Sequence, residues 1–377
     1  MAPKPIRIGF IGLSTQGWAS DTLAPPLFQS PVSSKYALVA VSTTNPKSAA
    51  ASAQKYTEIK RAAGTDDEAE VKAYHGSTSQ IACDPDVDIV AVSVGSTFQK
   101  EAALRVIEAG KDVFVEWPVG RDLSETQELV DAAKRTGTRS LVGLQMRLCG
   151  YVQKIKEIID SGKIGKIIST SFVDSYPREF PMWGPRVFSS RVYTLAASNG
   201  ASLFEAGAGH TIDTLTYLFG AVDFPSISTG LFVNQYPNAQ LVDPVTNEPT
   251  GETRPQETPH QIAFSGSFAA GAVFNVHIRA ALPTGATRLW WVIDGEKGSL
   301  RIEDNMPFIM SSNPQVFLSG EKVEIEEEPP LQKASRAWED FANAGKSHAT
   351  LEDALATKKI LEAVKKSAVP RTIPVDV

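Results

Sequence analysis

Gly12, Ser14 and Gly17 stand at the spacing Gly-x-Ser-x-x-Gly, directly after the apolar run Ile6–Ile11. A strand that ends in such a turn and opens a helical stretch lets backbone N–H groups approach a ligand, and the positive end of the helix dipole favours an anion there. The chemistry on offer is pyrophosphate binding, with Ser14, Thr15, Gln16 and Trp18 completing the turn around the two glycines. One glycine of the three-glycine dinucleotide fingerprint is replaced, and glycine turns between strands and helices are common, so position must support the motif. A second polar set, Ser42, Thr43, Thr44 and Lys47, follows another apolar run and contains no acid. In a dinucleotide-binding sheet the end of the second strand reads the adenosine ribose: a carboxylate selects NAD, whereas hydroxyls with a lysine suit the extra phosphate of NADP. This set favours NADP over NAD, and it also reads as a polar turn capping a helix that starts at Pro46.

The elements that must carry these residues follow from periodicity. Apolar runs at 6–11, 36–42, 71–75, 88–94, 112–115 and 140–144 read as strands, and 17–29, 46–62, 79–82, 98–109 and 124–136 read as helices, the first disturbed by Pro25 and Pro26. Strand and helix in regular alternation predict a doubly wound parallel sheet. Its carboxyl edge, where ligands collect, then carries Val94 and Ser96 after the fourth strand and Glu116, Trp117 and Pro118 after the fifth. Beyond Tyr151 the grammar changes to one helix, 152–161, and strands at 167–174, 226–233, 261–268, 272–280, 288–294 and 299–303. Direct succession of strands predicts an α+β unit with a large, mostly antiparallel open sheet. Residues 237–257 read as a long surface loop and the acidic stretch 321–330 as a solvated edge strand. Terminal helices are expected at 335–345 and 351–367, the second capped by Thr350 with Asp353. Trp290 and Trp291 occupy opposite faces of one strand, a packing role for either.

With 377 residues, the chain is expected to form more than one domain: 1–146, a substrate and oligomerisation unit at 147–334, and helices with a tail at 335–377. A net charge of −6 without a Lys/Arg-rich run argues against a direct nucleic-acid surface. No apolar stretch is long enough to span a bilayer and no secretory leader is evident, so a soluble, cytoplasmic protein without a membrane partner is expected. Cys83 and Cys149, the two cysteines, read as small buried hydrophobes, and no metal site is expected. His75, His260, His277 and His348 read as surface or strand residues.

Several segments in order carry a family resemblance: the turn at 8–17, Ala82-Cys-Asp-Pro-Asp-Val-Asp88, Ala109-Gly-Lys-Asp-Val-Phe-Val-Glu-Trp-Pro118, Gly209-His-Thr-Ile-Asp213, Gly295-Glu-Lys-Gly-Ser-Leu-Arg301 and Leu351-Glu-Asp-Ala-Leu355. The chain resembles the glucose-fructose oxidoreductase / inositol dehydrogenase family (Gfo/Idh/MocA) from Arg7 to about Val375. Phe114-Val-Glu-Trp117 and Leu144-Gln-Met-Arg147 look closest to the branch containing the fungal galactose-pathway repressor. The resemblance implies a bound dinucleotide with its nicotinamide beside Glu116, Trp117 and Pro118. Family dehydrogenases carry a Glu-Lys-Pro motif whose lysine transfers or assists a proton; here that place is Trp117, whose indole N–H is a donor only. They also carry an Asp-x-x-x-His pair. Here the residue four before His210 is Ala206, with Glu205 one place further back. A tyrosine common in the family near Gln145-Met146-Arg147 is absent.

By residue type alone, His210 reads as a helix-start histidine bonded to backbone. The resemblance makes it the acid/base, with Glu205 orienting it or acting with it. Arg147, Tyr176, Trp183 and Asp213 are the candidate substrate contacts, Arg147 equally as a structural ion pair and Asp213 equally as a helix residue. The implied function is hydride transfer between NADP, less favourably NAD, and a small hydroxy or keto compound by a homodimer or larger homo-oligomer. A catalytically silent dinucleotide-binding regulator with a protein partner is the alternative, and redox-neutral chemistry on a bound dinucleotide would leave the same sequence.

Overall fold

The computed structural model describes residues 4–64, 69–228, 230–283, 288–329 and 332–374. The chain divides into two compact units, Met1–Leu148 with Pro329–Leu355, and Cys149–Glu328 with Ala356–Val377. The stretch 335–377, whose last three residues lie outside those described, is thus shared between both units.

The first unit holds six parallel strands: β1 (Ile6–Ile11), β2 (Tyr36–Thr43), β3 (Lys72–His75), β4 (Ile89–Val92), β5 (Asp112–Val115) and β6 (Ser140–Val142), in the order β3-β2-β1-β4-β5-β6. The chain reverses direction of travel across the sheet between β1 and β4, and ligand crevices form at such a switch point. Every residue of β4 is buried, as expected of a strand covered on both faces. Between these strands run α1 (Pro46–Ala62), α2 (Ser79–Ala82), α3 (Ser96–Glu108) and α4 (Leu123–Thr136). Asn45 caps α1, its side chain accepting from the Ser48 N–H, with Pro46 at the first turn where its missing donor costs nothing. Asp122 caps α4 in the same way, and Gly137 ends it in the left-handed conformation.

The helix expected over 17–29 does not form. Ala19–Leu23 is a π-helical turn and Pro25–Phe28 a 3₁₀ turn. Pro25 and Pro26 offer no N–H, so α-helical hydrogen bonding cannot continue through them.

The second unit contains α5 (Gly150–Asp160) and β7 (Ile167–Pro177), then β8 (Arg186–Phe188), α6 (Gly209–Phe219), β9 (Val222–Asp223), β10 (Leu231–Asn234), β11 (Asn238–Val242) and β12 (Pro249–Pro255). It continues with β13 (Gln261–Phe268), β14 (Val273–Leu282), β15 (Leu289–Gly295), β16 (Ser299–Asp304), β17 (Gln315–Leu318), β18 (Glu321–Val323) and, near the end of the chain, β19 (Val369–Thr372). The main sheet has the order β18-β17-β16-β15-β7-β14-β13-β10-β19, with β9 on β13. Its pairs are antiparallel except β7 with β14 and β10 with β19. Strict alternation along β13 buries Ile262, Phe264 and Phe268 on one face. Trp291 is buried and Trp290 exposed, as their adjacent positions require.

Two helices complete the chain, α7 (Gln332–Ala342) and α8 (Leu351–Ser367). Trp338 of α7 packs in the first unit against the rings of Phe10, Tyr36 and Phe114, and its Nε1 donates to the Leu23 carbonyl at 3.1 Å. Thr350 and Asp353 form a reciprocal cap at the start of α8.

Further expectations need correction. The stretch 237–257 is not a loop: β11 and β12 form a hairpin and β11 also pairs in parallel with β8. Ala239, Leu241 and Val242 supply the buried side of that small sheet, while Asp243 Oδ1 accepts from Val245 and Thr246 N–H to close the turn. The strand expected at 226–233 is shortened to β10 and preceded by a 3₁₀ turn at Phe224–Ser226. Cys83 is exposed, because it ends α2 in a surface turn; Cys149 is buried. In the acidic stretch only 321–323 is strand, and Glu328 is buried, accepting from the Gly150 N–H at 2.9 Å; Pro330 lies outside the described residues. His260 is fully buried, its Nδ1 accepting from the Gln235 N–H, and burial pushes its pKa down to about 4.

Candidate functional site

The glycine turn sits where three strand ends meet. The Gly12 N–H donates to the Ser42 carbonyl at 2.9 Å, and Ser93 N–H donates to Ile11 at 2.9 Å. Gly12 has φ +90°, and a Cβ there would lie 2.2 Å from the Ser93 carbonyl oxygen, so no side chain fits. Gly17 has φ +97°, yet a Cβ there would meet nothing within 4 Å. The first glycine is therefore demanded by the protein's own backbone. The second leaves open space where a ligand's phosphate can approach.

Residues between the two glycines are held from α1. Ser52 Oγ donates to the Leu13 carbonyl, Tyr56 Oη to the Ser14 carbonyl, and Lys55 Nζ to the Thr15 carbonyl at 2.8 Å. Ser14 Oγ turns back to the Gln16 carbonyl. No sequence motif singled out this buttress, although its Ser52 and Tyr56 recur at the helical spacing of four. The π-helical turn that follows is too short to supply much dipole, so the backbone N–H groups of the turn itself are what it offers an anion.

At the end of β2, Ser42 is buried, Thr43 Oγ1 shares a hydrogen with Ser48 Oγ at 2.6 Å, and Thr44, Asn45 and Lys47 are exposed. Beyond β4, Gln99 of α3 ties the sheet edge together: its Nε2 donates to the carbonyls of Val94 and Glu116, and its Oε1 accepts from Gly120 N–H at 2.9 Å. Sequence reasoning missed Gln99, whose only signal was a polar residue on the buried face of an amphipathic helix.

Glu116 follows β5, and its carboxyl presses on Gly143, where a Cβ would overlap its Oε1. Oε2 has no hydrogen-bond partner among the described residues. Burial of the carboxyl group pushes it up to about 8, against the opposing pull of hydrogen bonds from Trp18 and the Trp117 backbone. Trp117 is buried and joined to Pro118 by a cis peptide bond. Because the native carboxyl holds its proton where the unfolded one has lost it, stability falls as pH rises from about 4.5 to about 8. Glu116→Gln is expected to raise the unfolding free energy near pH 7 by up to about 3 kcal/mol and to reduce that decline. Urea unfolding at both ends of this range checks it.

Arg147 is buried and pairs with Asp353 at 3.4 Å, which gives it a structural place within the first unit.

In the second unit, His210 is the second residue of α6 and is buried. A π-helical turn, Phe204–Ala208, leads directly into that helix. Its hydrogen bonds run from i to i+5, one residue more than in an α-helix. Glu205 thus stands five residues before His210 across a π-helical turn. Glu205 itself is buried and its Oε2 accepts from the backbone N–H and the hydroxyl of Ser202. Asp213 is buried one turn beyond His210. Tyr176, at the end of β7, and Trp183 are buried and meet edge to face at 5.2 Å between ring centroids. A Cβ on Gly207 would lie 3.4 Å from Tyr176 Oη, so the phenol lies against the π-helical turn that precedes His210.

A glycine turn with an open cradle at the switch point of a doubly wound sheet fits a dinucleotide, and the relatives of the chain agree. Dehydrogenase aclE of Aspergillus oryzae is 30% identical over 97% of this chain and 96% of its own. The chain belongs to the Gfo/Idh/MocA oxidoreductase family. Residues 6–144 match that family, described as an oxidoreductase family with an NAD-binding Rossmann fold, and residues 150–304 match the Gal80p C-terminal domain. The galactose/lactose metabolism regulatory protein GAL80 of Saccharomyces cerevisiae is 29% identical over 85% of this chain and 71% of its own. The fold is shared with a super-repressor mutant of Gal80p from the same yeast, at a TM-score of 0.83 and 23% identity over 97% and 96% of the two chains. It is also shared with levoglucosan dehydrogenase in complex with NADH and L-sorbose, at 0.75 and 20% over 97% of each chain. Among the described residues no helix is long and apolar enough to cross a membrane, and no group of His, Cys, Asp and Glu could hold a metal ion.

Proposed function

We propose that the chain is an NADP-dependent oxidoreductase acting on a small hydroxy or keto compound, with His210 as its acid/base. The observation that carries this reading is His210 itself, buried at the head of α6 behind a π-helical turn that holds Glu205. Bound dinucleotide supplies or accepts the hydride. The chain's residues do the rest: Gly12 and Gly17 admit the pyrophosphate, and Trp117 walls the nicotinamide without moving a proton. Imidazole exchanges its proton near neutral pH, so His210 takes the hydroxyl proton during oxidation and returns it during reduction. Glu205 is its positioning residue. Asp213, Tyr176 and Trp183 serve the substrate, and the active protein is a homo-oligomer.

Hydroxyls at Thr43 and Thr44 with the exposed Lys47, and no acid among them, support NADP over NAD. Lys47→Ala is expected to weaken NADPH binding about tenfold while changing NADH binding less than about twofold, read by fluorescence titration.

A second reading is favoured by Trp117 in place of the family lysine and by the GAL80 relatives. In it the protein binds dinucleotide without turnover and regulates a protein partner. Incubation with C4-deuterated NADPH and a panel of carbonyl compounds separates the two, since only the first reading puts deuterium into a product.

A further inference from the structure

We infer that the segment from Tyr176 to Trp183 forms a subsite for a flat ring bearing carbonyl or carboxylate oxygens, rather than for a polyol. This deepens the oxidoreductase reading and rests on it for the assignment of substrate to the second unit. Three aromatic rings gather within eight residues: Tyr176 and Trp183 meet at 90° with centroids 5.2 Å apart, and Phe180 lies 6.2 Å from the first and 5.9 Å from the second. Tyr176 and Trp183 are at most 3% exposed. Perpendicular and tilted rings present faces and edges suited to a flat partner.

The polar atoms in this cluster are short of acceptors. Trp183 Nε1 and Arg178 Nε are donor-only atoms, both buried and both without a hydrogen-bond partner among the described residues; Tyr176 Oη, which can donate or accept, also has none. Each such orphan carries an uncompensated desolvation cost, which a ligand that accepts from it removes. Only one acceptor beside them, Asp174 Oδ2, is likewise without a hydrogen-bond partner among the described residues. Asp174 Oδ1 takes the N–H groups of Ser175 and Phe308, and Glu205 Oε2 takes the N–H and the hydroxyl of Ser202. The remaining Asp174 oxygen interacts with the Tyr176 phenol, without hydrogen-bond geometry, and burial pushes that carboxyl up to about 7. Orphan donors outnumber the one orphan acceptor, so oxygens that only accept, as on a carbonyl or carboxylate ring, match the cluster better than hydroxyls that must also donate.

The segment is also fixed in place. Arg178 N–H donates to Leu282, Phe188 N–H to Pro181, and Thr194 Oγ1 to Met182. Opposite it, β14 bulges after Arg279 and holds Ala281 at φ +59°, with the Ala281 methyl 3.3 Å from where a Gly184 Cβ would stand. Non-glycine residues held at positive φ are strained and gather at ligand sites.

The test is the indole N–H resonance of Trp183 in ¹⁵N-labelled protein with NADPH present, assigned by its loss in Trp183→Phe. The probes are 4-hydroxyacetophenone and 4-hydroxybenzaldehyde against myo-inositol and D-glucose. The carbonyl probes are expected to shift this resonance and to bind at least about tenfold more weakly to Trp183→Phe and Tyr176→Phe, with NADPH affinity unchanged as the control for folding. The inference is overturned if inositol or glucose shifts the resonance as strongly, or if no probe shifts it while NADPH still binds. Absence of turnover with an intact indole shift would instead count against the oxidoreductase reading alone.

Discussion

Gly17→Val yields a folded protein that has lost dinucleotide affinity by at least about 100-fold, or about 2.7 kcal/mol. The two glycines of the turn share a positive φ but answer to different neighbours. At Gly17 nothing lies within 4 Å of a Cβ, so the valine meets only the space that pyrophosphate needs, plus about 1–2 kcal/mol of backbone strain. At Gly12 the Cβ would sit 2.2 Å from the Ser93 oxygen and 2.8 Å from Val94 Cγ1, so Gly12→Ala forces β1 and β4 apart. That change should cost about 3 kcal/mol of stability as well as binding. Isothermal titration with NADPH, alongside urea unfolding of each variant, distinguishes a lost cradle from a lost fold. Equal binding by Gly17→Val and the unaltered protein would remove the cofactor site from this turn.

His210→Ala is expected to lower turnover by about 10²–10⁴-fold, the range a positioned acid/base contributes, while NADPH affinity stays within about twofold. The side chain lies in the second unit, and none of the turn or ribose-end residues belongs to that unit. Glu205→Gln should act more mildly. As a positioning residue it is expected to change the pH profile of turnover more than the affinity for substrate, and a purely structural role would leave that profile alone. Steady-state kinetics across pH on the three proteins reads both effects.

Much of the scaffold was legible because local signals agreed with tertiary demands. The unbroken apolar run of β4 read as a strand buried on both faces, and Pro46 after a polar turn marked the start of α1 through its fixed φ. Two features were not legible, each for a physical reason. Pro25 and Pro26 flagged trouble in the first helix, but their presence does not say whether the chain kinks, tightens or, as here, passes into π and 3₁₀ turns. The β11–β12 hairpin hid behind Pro, Asn, Thr and Gly because its strands are short and its second strand is exposed throughout. Its register comes from pairing with β8, some fifty residues earlier.

The candidate site was legible by residue type and not by geometry. The turn, Glu116 and His210 could be named from motif and resemblance. Burial of the Glu116 carboxyl against Gly143, the Gln99 tie and the π-helical turn before α6 depend on how separate segments pack, which no local spacing encodes. Arg147 shows the same limit: a lone arginine is compatible with substrate or with a structural partner, and only the fold supplied Asp353.

The central claim is hydride transfer dependent on His210. The direct measurement incubates the protein with NADPH deuterated at C4 and a mixed panel of cyclic carbonyl compounds and keto sugars, followed by mass spectrometry of the products. The account predicts deuterium in a reduced product and its loss in His210→Ala. Demonstrated NADPH binding with no label in any product would contradict it and favour the dinucleotide-binding regulator.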